Sequence, residues 1–152
     1  MAIRLVFLRH GQTTIIPDNK EVLSEQGIRS AINAGRMLRG SKITHVAFSH
    51  IRRTIQTADA IGQGLAAEAG EFPDDQHQTL EALATPCREL WADYLKAHPI
   101  PDFTHPFVAT ETARMVAEFD PMVRRLPSGS CLLSVGHSNL LECLIHGLTG
   151  YT

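Results

Sequence analysis

Three short apolar runs stand out against an otherwise mixed chain: IRLVFL at 3–8, THVAF at 44–48 and CLLSV at 131–135. The first and last lack polar alternation, the pattern of strands covered on both faces, as in a largely parallel sheet. Between the runs, apolar residues recur at helical spacing. Ser24 is placed to cap a helix running to about Arg39, with Ile28, Ala31, Ile32, Gly35 and Leu38 on one face and Gly40 as its stop. A second helix from about Ile51 carries Ile55, Ala58 and Ile61. Residues 66–86 are polar, and AEAGEFPDDQHQT within them predicts a loop. A helix from about Arg88 to His98 then groups Leu90, Trp91, Tyr94 and Leu95, while HPIPDFTHP is too rich in proline for regular structure. A helical pattern resumes near Thr110, Pro121 predicts a restart capped by Asp120, and a last helix spans about Asn139 to His146. Alternation of strand and helix predicts a three-layer α/β/α sandwich around a mostly parallel central sheet.

Composition narrows this picture. A length of 152 residues predicts one domain, residues 1–152, with 43% apolar and 20% charged residues as in ordinary globular chains. A net charge of −2 argues against a general attraction to nucleic acid or anionic membrane, so any anion site must be local. No apolar run approaches the length of a membrane span, and Met1 to Leu8 is too short for a signal sequence. Cys87, Cys131 and Cys143 are odd in number and widely spaced in apolar patterns, which predicts reduced packing residues in a cytoplasmic protein. Eight histidines raise a metal reading, but no HExxH or CxxC spacing supports it, so neither metal nor organic cofactor is expected. His45, His50, His77, His98, His105 and His146 are assigned to surface or packing roles.

The chemistry lies in the residues just past each strand: RHG after the first, SHIRRTIQTA after the second, GHSN after the third. In open α/β sheets, ligands bind outside the carboxyl ends of the strands, so Arg9, His10, Arg53 and His137 are expected at one edge. Helix N-termini there add N–H donors and a favourable dipole for an anion, and phosphate is the natural guest. Two guanidiniums bind phosphate oxygens while an imidazole attacks phosphorus. Each positive charge at about 4 Å contributes on the order of a few kcal/mol at an effective dielectric near 20, which favours the neutral, nucleophilic imidazole.

LVFLRHGQT resembles the RHG signature of the histidine phosphatase superfamily, the phosphoglycerate mutase-like family. LSEQGIRSA, SHIRRTIQTADAI and LLSVGHSNLL are similar, in order, to its further landmarks, so the resemblance spans nearly the whole chain. It implies that His10 is the nucleophile that becomes phosphorylated, with Arg9, Arg53 and His137 forming the phosphate pocket; Arg52 becomes a surface neighbour. Gln12, Thr13 and the backbone N–H of Ser138 are further candidates for substrate contacts. It also implies a glutamate that protonates the leaving oxygen and then activates water. Glu81 in QTLEALA fits that place, although the glycine-rich segment that comes next in the family is absent; Glu89, an acid from the Asp74 and Asp75 pair, or no carboxylate at all remain alternatives.

Ile15 and Ile16 stand where many members carry tryptophan and asparagine, which predicts a more apolar mouth. The short cap between the acid and the third strand favours hydrolysis over mutase chemistry, which must shield its intermediate from water. The expected activity is therefore hydrolysis of phosphomonoesters or phosphohistidine through a covalent phosphohistidine. The alternatives are a cofactor-dependent phosphoglycerate mutase-type phosphotransferase and a non-catalytic phosphate-binding module. The expected partner is a phosphorylated small molecule or a phosphohistidine protein. Relatives usually add one or more strands beyond the last helix. The chain is thus expected to be a compact variant or a fragment, and an open sheet edge would suit a homodimer.

Overall fold

The computed structural model describes residues 2–17, 20–69, 76–84 and 88–150. Among them, four parallel strands form the central sheet: β1 (Arg4–Arg9), β4 (His45–Phe48), β5 (His77–Thr79) and β6 (Cys131–Gly136), in the order β1-β6-β4-β5. The two remaining strands, β2 (Thr13–Ile16) and β3 (Lys20–Leu23), form an antiparallel hairpin of their own, with Thr13 opposite Leu23. Among the described residues, five α-helices cover the sheet: α1 (Glu25–Leu38), α2 (Arg52–Ala69), α3 (Arg88–Ala97), α4 (Pro106–Arg124) and α5 (Leu140–Thr149).

The apolar run of β6, broken only by Ser134, reflects its central place, where every residue is buried. Its side chains alternate between two cores. Cys131, Leu133 and Val135 face α1 and α2, packing with Ala31, Val46, Ala58, Ile61 and Leu65. Leu132 faces α3, α4 and α5, among Trp91, Val108, Met115, Phe119, Leu141 and Leu144. Each large side chain buried in this way contributes roughly 1.5–3 kcal/mol. The α1–α2 crossing is set by two glycines: a Cβ at Gly35 would overlap the Ile61 carbonyl oxygen, and one at Gly64 the Ile32 carbonyl oxygen. The three-layer α/β/α architecture predicted from the strand and helix pattern is thus the one observed.

Several local expectations differ. Ser24 does cap α1, accepting the Gly27 N–H at 3.0 Å. Gly40 does not end that helix in a left-handed turn; a 3-10 turn, Arg39–Ser41, comes next, and Lys42 takes the positive φ of 51°. The stretch predicted as loop after residue 66 holds the end of α2, the edge strand β5 and a 3-10 turn, Glu81–Leu83. The proline-rich segment yields the start of α4, since proline suits the first helical turn and the His105 ring accepts the Phe107 N–H at 3.2 Å. Pro121 lies inside α4, near its end, and starts no new helix; Asp120 pairs with Arg124 at 2.6 Å instead of capping.

Candidate active site

β1, β4 and β6 end at one level, because Arg9 pairs with Gly136 and Phe48 with Val135. The residues just beyond these ends therefore meet at the carboxyl edge. The His10 N–H donates to the Gly136 carbonyl at 2.9 Å, carrying the ladder one residue past β1. On β4's side, Thr54 ties the start of α2 to the strand end, its hydroxyl lying 2.9 Å from the Ser49 carbonyl and 2.7 Å from that of Ile51. Thr57 joins the next turn to β1: its hydroxyl accepts the Gly11 N–H at 3.0 Å and donates to the Arg53 carbonyl at 2.7 Å.

Arg53 is the hub. Its Nε donates to His10 Nε2 at 3.2 Å, its Nη2 to His137 Nδ1 at 3.2 Å, and its Nη1 pairs with Glu21 Oε2 at 3.0 Å. These contacts assign the tautomers, since a guanidinium only donates and a carbonyl only accepts. His10 Nδ1 carries its proton toward the Gly11 carbonyl, 2.8 Å away, and Nε2 keeps its lone pair, which accepts from Arg53. His137 accepts at Nδ1 and turns Nε2 to the buried Ser49 hydroxyl at 3.4 Å.

Both imidazoles are held neutral. Burial is the largest cause for His10, whose pKa is lowered further by Arg53 and Arg9 against the opposing hydrogen bond to Gly11. His137, 6% exposed, is pushed down to about 3 by burial first and then by Arg53 and His10. The rings lie edge to face with centroids 5.2 Å apart.

They open on a cavity of about 460 Å³, within the usual range for small-molecule sites. Arg9, His10, Thr13, Arg53, His137 and Ser138 line it, so the structure brings these predicted residues together. Gln12 lines a smaller recess beside Arg9 and His10, and its carbonyl accepts the Ser24 N–H at 2.9 Å. Asn139, also at the cavity, has φ 61° and ψ −49°, with the Leu140 N–H reaching the Ser138 carbonyl at 2.6 Å. That is a tight γ-type turn, the kind of strained backbone that collects at functional sites.

Glu81 is not brought into the cavity. It lies just past the edge strand β5, its side chain is exposed, and its backbone N–H is anchored to Glu118 Oε1 of α4 at 3.0 Å. Glu89 is likewise exposed on α3 and away from the lining, and Asp74 and Asp75 lie outside the described residues. Among the described residues, the carboxylate that lines the cavity is Glu21, which the sequence pattern does not single out. It sits on the β2–β3 hairpin and accepts the Thr13 hydroxyl at 2.6 Å. Nor do Ile15 and Ile16 line the mouth, and Ile15 is 73% exposed; the apolar wall comes from Trp91, Ala92 and Leu95 of α3, with Ile51 and Leu140.

Comparison with known proteins shows the family and the fold. A family model described as "Histidine phosphatase superfamily (branch 1)" matches residues 5–152. The probable phosphoglycerate mutase GpmB of Yersinia pestis (strain Pestoides F) is 29% identical over 166 aligned positions, covering 97% of this chain and 75% of its own. Mycobacterial glucosyl-3-phosphoglycerate phosphatase Rv2419c, complexed with VO3, has a similar fold, with a TM-score of 0.72 and 22% identity over 99% of this chain and 84% of its own. For the protein histidine phosphatase SixA, complexed with tungstate, the TM-score is 0.62 at 22% identity, over 97% and 78%.

Proposed function

The chain belongs to the histidine phosphatase superfamily, and from that premise we propose that it hydrolyses phosphomonoesters through a covalent phosphohistidine on His10. One observation carries the reading: a single guanidinium, Arg53, donates to both the His10 and the His137 imidazoles at the cavity. An incoming phosphoryl group takes over those donors. This frees His10 Nε2, whose proton already sits on Nδ1, to attack phosphorus. Arg53 and Arg9 offset the charge on the equatorial oxygens, with Thr13, Gln12 and Ser138 as further contacts. The dimensions of the cavity suit a small phosphorylated molecule, and a phosphohistidine side chain on a protein is the other substrate class that fits a single phosphoryl group. The buried free thiols of Cys131 and Cys143 suit a reducing compartment, which supports a cytoplasmic setting.

A mutase reading has one specific support, the name of the Yersinia relative. Both chemistries share the His10 step and part at the second acceptor, water or a sugar hydroxyl. The test is turnover of p-nitrophenyl phosphate by wild type and His10→Ala in the presence of chelator, with mass-spectrometric trapping of the phosphoenzyme. Wild type is expected to turn over and to carry phosphate on residue 10, and His10→Ala to do neither. Isomerisation of a monophosphoglycerate exceeding its hydrolysis would replace the hydrolase reading with the mutase one. Unchanged activity in His10→Ala would remove both.

A further inference from the structure

We infer that Glu21, on the β2–β3 hairpin, is the general acid and base of this site. The inference rests on the proposed phosphoryl transfer to His10 and assigns the proton that this transfer leaves open. Among the described residues, Glu21 supplies the carboxylate in the cavity that His10 faces, whereas the Glu81 and Glu89 side chains point to solvent elsewhere. Its position is built rather than incidental: Oε1 accepts from Thr13 at 2.6 Å and Oε2 from Arg53 at 3.0 Å, with the side chain 28% exposed. An in-line displacement places the nucleophile about 3–3.5 Å from phosphorus and the acid about 3 Å from the leaving oxygen, so the acid belongs across the phosphoryl group from the imidazole. Arg53 ties the two residues to one guanidinium, His10 on Nε and Glu21 on Nη1, and both line the cavity that would hold the phosphoryl group.

The same contact times the protonation of Glu21, whose proton comes from solvent in the first cycle and from the attacking water in each later one. The Glu21 carboxylate pairs with the Arg53 guanidinium at 3.0 Å. A phosphate dianion draws on that guanidinium and sets negative charge beside Glu21, and both changes favour the protonated carboxyl. His10 Nε2 then gives its lone pair to phosphorus, and the ester P–O bond breaks with its electron pair going to the leaving oxygen. The Glu21 carboxyl hands its proton to that oxygen. In the second step, the Glu21 carboxylate takes a proton from water as the water oxygen bonds to phosphorus. The P–N bond breaks and returns its pair to Nε2, leaving inorganic phosphate and a protonated carboxyl.

The experiment measures kcat/KM for wild type, Glu21→Gln, Glu21→Asp and Glu81→Gln on phosphate esters of rising leaving-group pKa, from p-nitrophenyl through phenyl to glycerol phosphate. An acid matters most where the leaving oxygen is most basic. Glu21→Gln is expected to stay within about tenfold of wild type on p-nitrophenyl phosphate and to fall about 10²–10³-fold on glycerol phosphate. Glu21→Asp restores part of that loss, and Glu81→Gln matches wild type along the series. A uniform drop across the series would mean that Glu21 merely positions Arg53, and the inference would fall. It would fall equally if Glu81→Gln, rather than Glu21→Gln, showed the selective loss. Phosphoenzyme trapping separates the two levels: label on His10 with no Glu21 selectivity refutes this inference alone, whereas absence of label in wild type refutes the proposed function.

Discussion

Lowering the pH from 7 to 5 should destabilise the fold through one buried ring. His137 is 6% exposed and has its pKa pushed down to about 3, against an ordinary value of 6.5 in the unfolded chain. Between those two values the unfolded state binds a proton that the folded state refuses, so stability is present above pH 6.5 and is lost as the pH falls. The slope approaches about 1.4 kcal/mol per pH unit for one group. Integrated from pH 7 to 5, the loss is about 2 kcal/mol. Because the folded value lies well below 5, that loss is governed by the unfolded pKa alone. His10, lowered in the same direction, adds to it. The assay is urea unfolding followed by the fluorescence of Trp91, the chain's single tryptophan and a core residue, in wild type and His137→Gln at both pH values. Titrations of the carboxylates are common to both proteins and cancel in the difference. Wild type is expected to lose about 2 kcal/mol more than the variant over this interval. Equal losses would show that His137 carries its proton in the folded state, and the account of two neutral imidazoles around Arg53 would be wrong.

Two more outcomes arise from packing. Gly64→Ala should lower stability by about 1–3 kcal/mol in the same urea assay, since the added methyl meets the Ile32 backbone where α1 and α2 touch; an unchanged midpoint would show that the two helices can part at little cost. Cys131 and Cys143 are both fully buried, with burial raising the first thiol and pushing the second up to about 11. Iodoacetamide at pH 8 should therefore leave both unmodified in the folded protein and label both in urea, as read by peptide mass mapping.

The parts of this fold that were legible in the sequence are those in which burial writes a strong pattern. β6 is buried on both faces and reads as an apolar run broken only by Ser134, and α1 shows its Ser24 cap and buried Ala31 and Gly35, although Ile28 of the expected stripe lies exposed. What escaped were elements held by something other than apolar burial. β5 is three residues, HQT, on the sheet edge, recognisable only through its backbone pairing with β4. The β2–β3 hairpin alternates weakly and its turn contains Pro17, so TTIIPDNK reads as a loop. The site divides in the same way. His10 and His137 come directly after β1 and β6 and Arg53 shortly after β4, so the strand-end rule points to them, with the family resemblance choosing Arg53 over Arg52. The rule does not point to Glu21, because its place in the cavity depends on a hairpin folding back so that residue 21 lies diagonally across from Thr13. A local cue existed in the isolated acid between Lys20 and Val22, but nothing in its neighbours distinguishes it from a solvated glutamate.

The backbone that presents Arg53 is placed without charge. Arg53 lies two residues into α2, and the backbone around it is fixed by hydroxyls: Thr54 to the end of β4, Thr57 to Gly11 beside the nucleophile and to the Arg53 carbonyl itself. The path from the end of one strand to the hub and back to the end of another thus runs through neutral hydrogen bonds that need no anion to form. A guanidinium held 17% exposed against two neutral rings would be poorly compensated by those rings alone. Glu21 supplies the opposite charge, and it does so from the hairpin rather than the sheet, so the countercharge can yield its contact to a phosphoryl group without disturbing the strand ends that aim His10. The arrangement separates two demands that usually conflict: rigid presentation of the nucleophile and a cation whose partner must change during turnover.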